Sequence, residues 1–230
     1  MQLAQGPRVR FSPFYRKSEA AGIQTATVYN RMVLPLATED PEADYEALTQ
    51  RVALWDVGCQ RQVQVQGPDA LKLCQYISAR DLSQLKIGVA KYAPLCDHQG
   101  RLINDPVALR VDEDTIWFSI ADSDILLWVR AISGEREDNV EIIEPDVSPL
   151  AVQGPRATDT VAAVFGEWVR ELKFFHFKRI NHEGIPLVVC RSGWSKQGGF
   201  ELFLEDANKG EQLWDLIWAA GEPHGIRVGA

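Results

Sequence analysis

The sequence predicts an α+β protein built from two related units, each a mixed or antiparallel sheet with helices. Its plainest sign is an internal echo. Val65-Gln66-Gly67-Pro68-Asp69-Ala70 returns as Val152-Gln153-Gly154-Pro155-Arg156-Ala157. Each copy follows a strand-like run (62–66 and 149–153) and precedes a helix-like run (70–77 and 157–165). Gly then Pro makes a sharp strand-to-helix turn, because proline suits the first helical turn. The many hairpin-like connections elsewhere do not suit a doubly wound parallel sheet. The expected units are about 55–146, and 1–54 packed with 147–230.

The elements follow in order. A helix is expected over 41–54, with Asp40 as its cap, Pro41 in its first turn and Tyr45, Leu48 and Val52 as its apolar stripe. Strands are expected over 92–96, 102–111 and 115–120, the last two joined by the turn Asp112-Glu113-Asp114. Asp122 can cap a helix through Ile125, Leu126, Val129 and Ile132 that stops near Gly134, before a strand at 140–143. The second half continues with strands over 172–180 and 185–190, joined by Asn181-His182-Glu183-Gly184. A strand over 200–204 and a helix over 208–220, its core face Leu213, Leu216 and Ile217, complete it. Ile226-Arg227-Val228-Gly229-Ala230 follows without a closing element, which reads either as a frayed terminus or as a chain that continues.

Composition narrows the function classes. At 230 residues and 46% hydrophobic, the chain can bury a full core. The net charge of -8, without any Lys/Arg block, argues against nucleic acid as a partner. No apolar run reaches membrane-spanning length, and residues 1–10 lack the apolar segment of a secretory signal, so a cytoplasmic location is expected. Cys59, Cys74, Cys96 and Cys190 match no zinc spacing and read as reduced thiols. His98, His176, His182 and His224 are scattered, so no metal site is expected.

The most informative stretch is Arg191-Ser192-Gly193-Trp194-Ser195-Lys196-Gln197-Gly198-Gly199-Phe200-Glu201, between two strand-like runs. Its glycines permit close backbone approach or positive φ. A hairpin needs no loop so elaborate, so the loop is expected to shape a pocket. Asp105, in Asn104-Asp105-Pro106 after the turn-like Asp97-His98-Gln99-Gly100, is a second candidate, although Asp before Pro commonly just makes a turn.

These landmarks, with Leu54-Trp55-Asp56-Val57 and Gln153-Gly154-Pro155, resemble the folate-binding region of the aminomethyltransferase family, the T-protein of the glycine cleavage system and its relatives. Further segments, among them 28–35, 80–83, 119–124 and 171–175, are similar to the branch of that family that demethylates dimethylsulfoniopropionate. The resemblance implies tetrahydrofolate as cofactor and a small-molecule methyl donor as substrate. The family's Gly-Gly-x-x-Asp-Asp string falls on 100–105, which makes Asp105 the carboxylate near the reactive folate nitrogen, with Asn104 in place of the first Asp. Its Gly-Tyr-Thr-Gly-Glu-x-Gly-Tyr/Phe-Glu string falls on 193–201, which makes Glu201 the partner of the pterin and puts Trp194 where a Tyr lines the folate site. A carboxylate accepts two parallel N–H donors of a pterin, which gives orientation as well as affinity.

Trp194, Tyr29, Phe174 and Phe175 are the expected aromatic wall for a sulfonium or a flat ring, with Phe175 on the cofactor and Tyr29 and Phe174 on the substrate. The departures at Asn104 and Trp194 put the glycine-cleavage reaction, with its lipoyl carrier protein partner, in second place. Behind it stand a folate-dependent O-demethylase with His176 as proton donor and a non-catalytic folate-binding protein. The family's C-terminal barrel domain and an Arg of the folate site would fall beyond Ala230, so a truncated and inactive chain is expected. A homodimer is left open.

Overall fold

The computed structural model describes residues 8–229. The reading of residues 1–7 as part of a leaderless terminus, and that of Ala230, lie outside the described residues. Two compact units are present, Met1–Cys59 with Asp146–Ala230, and Gln60–Pro145.

In chain order come helix α1 (Tyr15–Ala20), strands β1 (Thr25–Tyr29) and β2 (Met32–Ala37), helix α2 (Pro41–Gln50), strands β3 (Ala53–Asp56) and β4 (Gln62–Gln66), and helix α3 (Ala70–Ile77). Strands β5 (Ala90–Tyr92), β6 (Leu95–Cys96), β7 (Leu102–Asn104), β8 (Val107–Arg110) and β9 (Thr115–Ser119) precede helix α4 (Leu126–Arg136) and strand β10 (Glu141–Ile143). Strand β11 (Ser148–Gln153), helix α5 (Ala157–Phe165), strands β12 (Phe177–His182), β13 (Ile185–Cys190) and β14 (Gly199–Leu204), helix α6 (Gly210–Gly221) and strand β15 (Arg227–Val228) follow.

In the first unit a six-stranded sheet runs in the order β12-β13-β14-β11-β3-β15. All its neighbours are antiparallel except β15 on β3. On β14, Phe200, Leu202 and Leu204 are fully buried in one cluster with Val161 and Phe165 of α5 and Leu213, Trp214 and Ile217 of α6. Each such side chain contributes about 2–3 kcal/mol of burial. Because side chains alternate along a strand, Glu201 and Phe203 point to the other face. In the second unit the order is β10-β4-β9-β8-β5, all antiparallel, with α3 and α4 supplying Leu73, Cys74, Val129 and Ile132 to its core.

The echo is a repeated piece of structure. Both β4 and β11 are interior strands, and both lead through a positive-φ glycine (Gly67, φ 141°; Gly154, φ 120°) into a helix. A Cβ on Gly67 would lie 2.5 Å from the Asn139 carbonyl, and one on Gly154 would lie 2.7 Å from the Arg51 carbonyl. Only glycine fits either turn.

Several expectations change. The helix expected over 41–54 ends at Gln50, and Leu54 belongs to β3. Its inward residues are Asp44 and Ala47, while Tyr45 is 69% exposed. Asp44 is tolerated there because the Thr38 hydroxyl and Arg227 Nε (2.9 Å) both donate to it. The strands expected over 92–96 and 102–111 are each broken at a proline, Pro94 and Pro106, which has no N–H for a ladder. Asp124, not Asp122, receives the Leu126 amide at the start of α4 (3.0 Å), and α4 continues through Gly134. The strand expected over 172–180 starts only at Phe177, after a 3-10 turn at Glu167–Glu171, so Phe174 and Phe175 lie in a turn. The helix expected from 208 starts at Gly210, after a 3-10 turn at Ala207–Lys209, and buries Trp214 more fully than Leu216. Residues 227–228 form β15 at the sheet edge, and α1, β1 and β2 carry no expectation from the sequence.

Asp56, in the Leu54-Trp55-Asp56-Val57 landmark, ties the segment before α1 to the sheet. The Ser12 hydroxyl donates to it, as does the Gly58 amide at 3.1 Å. Burial nevertheless raises its pKa to about 6. The folded carboxyl therefore holds its proton more tightly than the unfolded one, and stability present at low pH is lost as pH rises from about 4 to about 6. This group is expected to contribute up to about 3 kcal/mol to that slope, and Asp56→Asn to remove it. Urea unfolding across this window checks it; an unchanged slope in Asp56→Asn contradicts the assignment.

Candidate functional site

Glu201 lies at the middle of the six-stranded sheet, paired across to Ala151 on β11 and Cys190 on β13. It is 8% exposed. The Ser192 hydroxyl donates to its Oε2, and this is its one hydrogen bond among the described residues, so Oε1 remains available as an acceptor. Burial raises the Glu201 pKa, and the Ser192 bond opposes that only in part. The cross-strand Cys190 thiol is also pushed up by burial, so it stays protonated and is no nucleophile.

Trp194 stands on the loop that joins β13 to β14 and is 64% exposed. Its ring lies 5.5 Å from that of Trp55 on β3, tilted by 46°. Two indoles thus form a corner on the same unit as Glu201. Phe174 and Phe175 stack on each other at 4.3 Å, and their turn is tied to the same loop by the Phe175 amide donating to the Arg191 carbonyl (2.8 Å). Tyr29 sits on a different sheet, at the turn of the β1–β2 ribbon.

Asp105 belongs to the second unit, in the break between β7 and β8, where it is exposed. Its neighbours hold it. The Asn104 amide nitrogen reaches the Ala121 carbonyl, the Ser123 carbonyl and the Ser123 hydroxyl, each at 3.0 Å, and its oxygen accepts from the Ala121 amide at 3.0 Å. Ser123 has φ 141°, a strained value for a non-glycine residue, and its hydroxyl donates to the Ile103 carbonyl (2.6 Å). On the other side the Pro106 carbonyl accepts from Ala93 at 2.8 Å. Asn104 is thus a clamp that donates to carbonyls, which an Asp could not do.

The structure therefore groups Trp194, Glu201, Phe174 and Phe175 around one loop. It places Tyr29 on a separate ribbon and Asp105 in the second unit. Ser192 and Trp55 were not foreseen as site residues. Ser192 carried a signal in its position next to the first loop glycine, and Trp55 carried one in the Leu54-Trp55 landmark. All four cysteines are free thiols. Among the described residues no cluster of His, Cys, Asp and Glu suits a metal ion, and no helix is long and apolar enough to cross a membrane.

The duplicated sheet-and-helix framework goes with a family match over residues 16–230, and the chain belongs to the GCVT N-terminal domain family. Among its relatives is the dimethylsulfoniopropionate demethylase DmdA of Ruegeria pomeroyi, 50% identical over 222 residues, which are 96% of this chain and 61% of that one. The aminomethyltransferase of Shouchella clausii is 30% identical over 220 residues, 94% of this chain and 59% of that one. The chain thus spans about three fifths of the length of these relatives. The aminomethyltransferase T structure from Bartonella henselae superimposes with a TM-score of 0.81 over 96% of this chain and 59% of that one, at 21% identity, which establishes the shared fold.

Glu201→Gln keeps the shape and removes the charge that burial disfavours. Since the folded pKa is raised, the variant is expected to melt a few degrees above wild type near pH 8, the gain fading near pH 4. Calorimetry of the ligand-free protein measures this, and a lower Tm at the higher pH contradicts it. Asn104→Asp is expected to cost about 2–3 kcal/mol, because it sets carboxylate oxygens against two carbonyls. Denaturant titration gives the value, and a neutral result removes the clamp.

Proposed function

We propose that the protein is a tetrahydrofolate-dependent methyltransferase that demethylates dimethylsulfoniopropionate, giving 5-methyltetrahydrofolate and methylmercaptopropionate. The observation that carries this reading is Glu201, a buried carboxylate with one oxygen held by Ser192 and one left to accept, in cross-strand register through Ala151 with Trp55, whose ring meets that of Trp194. The 50% identity to DmdA, against 30% to an aminomethyltransferase, supports the demethylase over the aminomethyl branch.

The residues fit the folate. Glu201 would accept the adjacent ring N–H and amino donors of a pterin, and Trp194 would lie against its flat ring. When bound, tetrahydrofolate supplies the nucleophilic N5. Trp194, with Phe174, Phe175 and Tyr29, would hold the cationic sulfonium by cation–π attraction, Phe175 serving the folate side. The methyl–sulfur bond breaks with its electron pair on sulfur, so a neutral thioether leaves without a proton donor. In the second unit, Asp105 is the carboxylate that the family resemblance assigns to the reactive folate nitrogen, where a negative charge would offset the positive charge of methyl transfer until the N5 proton is lost. Alignment and exclusion of water then supply most of the rate. The four free thiols suit a reducing compartment, the cytoplasm.

The second reading is an aminomethyltransferase working on a lipoyl carrier protein, favoured by the aminomethyltransferase relatives. An O-demethylase using His176 is less well supported. Its Nδ1 lies 3.2 Å from the Phe174 carbonyl, so a hydrogen on Nδ1 is committed to the backbone. The full-length protein with both substrates is expected to form both products, measured by chromatography. Absence of both at saturation overturns the reading. Ammonia released from an aminomethylated carrier would establish the second reading, product from methoxy-aromatic acids the O-demethylase, and folate binding without any turnover a non-catalytic protein.

A further inference from the structure

The two copies of the Gln-Gly-Pro turn use their glutamines differently. In the first copy Gln66 is exposed, and among the described residues its Oε1 accepts from the nearby Gln64 amide at 3.1 Å. In the second copy Gln153 is 1% exposed. Its Nε2 reaches the carbonyls of Ser192 (3.1 Å) and Phe200 (3.2 Å), and the carbonyl of its neighbour Val152 at 3.3 Å. Its Oε1 accepts from the Ser195 hydroxyl at 2.7 Å, which in turn accepts from the Gln197 amide at 3.2 Å. The Nε2 partners are all carbonyls, so the orientation of the amide is fixed by chemistry.

The loop's glycines fit around this side chain. A Cβ on Gly193 (φ 134°) would stand 2.2 Å from Gln153 Oε1, and one on Gly199 (φ 143°) would stand 2.7 Å from Gln153 Nε2 and 2.2 Å from the Val152 carbonyl. Gly193 and Gly199 therefore admit Gln153, whereas a Cβ on Gly198 (φ 79°) would meet nothing within 4 Å. The Gly154 amide adds a bond to the Gly198 carbonyl at 3.0 Å. One amide thus holds the loop at its start (Ser192), its middle (Ser195) and its exit (Phe200). Ser192 is the residue that orients Glu201, and Trp194 lies between two of the anchored residues.

We propose that Gln153 is a positioning residue: its buried amide sets loop 191–198 over the end of β11 and through it fixes both Ser192–Glu201 and Trp194 for the ligand. The effect on folate rests on the function proposed above; the effect on the loop does not. The test compares Gln153→Glu, which keeps the shape but replaces the donor with an acceptor, with Gln66→Glu, the same change in the other copy. In the full-length protein, Gln153→Glu is expected to speed backbone hydrogen exchange at 193–198 about tenfold and weaken tetrahydrofolate binding about tenfold, while kcat at saturating folate stays within about threefold. Gln66→Glu is expected to change none of these. Wild-type exchange and wild-type folate affinity in Gln153→Glu overturn the proposal, as does an equal effect of Gln66→Glu. If the wild-type protein does not bind tetrahydrofolate, the proposed function fails, and the exchange comparison alone decides the role of Gln153. If Gln153→Glu does not fold, Ser195→Ala decides: about threefold faster exchange in the loop supports the proposal, and unchanged exchange overturns it.

Discussion

A carboxylate set into the middle of a six-stranded sheet is the constraint around which the first unit is organised. Burying Glu201 with one hydroxyl partner is unfavourable, as its raised pKa records. The strand can carry that burden because its other face is apolar without interruption: Phe200, Leu202 and Leu204 are all sealed under α5 and α6. Period-two alternation makes one strand both the strongest part of the core and the carrier of its least stable group. Such a group persists where it does something that a hydrophobic side chain could not.

Asn104 shows how a position can change meaning when its surroundings become visible. By resemblance, Asn104 is a carboxylate lost from a pair, which bears on chemistry. In the folded chain its amide is buried and bonds the 121–123 turn from both ends, with a strained Ser123 as one partner. The loss of charge and the gain of a donor are one substitution, and the donor is the part that the local structure uses. Asp105, one residue on, is held at an exposed strand break by this clamp and by the Pro106 carbonyl.

Much of the framework was legible because it is local. The Gly-Pro echo marks turns that only glycine can make, and the helices it predicts at 70–77 and 157–165 have those bounds. Misreadings arose where tertiary packing overrides pattern. Phe174 and Phe175 look like strand residues, but the backbone there folds into a turn, with Phe175 at φ 60°. Tyr45 looks like a core residue on helical spacing, yet Asp44 takes the inward position because Thr38 and Arg227 meet it there. Strand β15 was illegible because its partner β3 lies near the other end of the chain, and no local signal marks a parallel pairing at such a distance. Of the candidate site, the motif singled out Glu201 and Trp194. Ser192 and Gln153 were not singled out, since a serine beside a glycine and a glutamine at a turn are unremarkable until their partners are known.

Asn104 and Gln153 solve the same physical problem in the two units. Each is a buried amide that donates to backbone carbonyls on one side and accepts on the other. A carboxylate of the same shape could not donate, and a lysine could not accept and would bring a charge into the interior. A neutral amide joins irregular backbone segments at the least desolvation cost, and it does so beside each candidate carboxylate: Asn104 next to Asp105, and Gln153 behind the loop that carries Ser192 toward Glu201. The charged groups are thereby relieved of structural duty. A carboxylate that also tied down the loop would have its lone pairs occupied; Glu201, with its loop held by Gln153, spends one oxygen on Ser192 and keeps the other. Separating the groups that hold the backbone from the groups that face a ligand lets an irregular, glycine-rich loop present a carboxylate and an indole in a fixed arrangement before any ligand arrives.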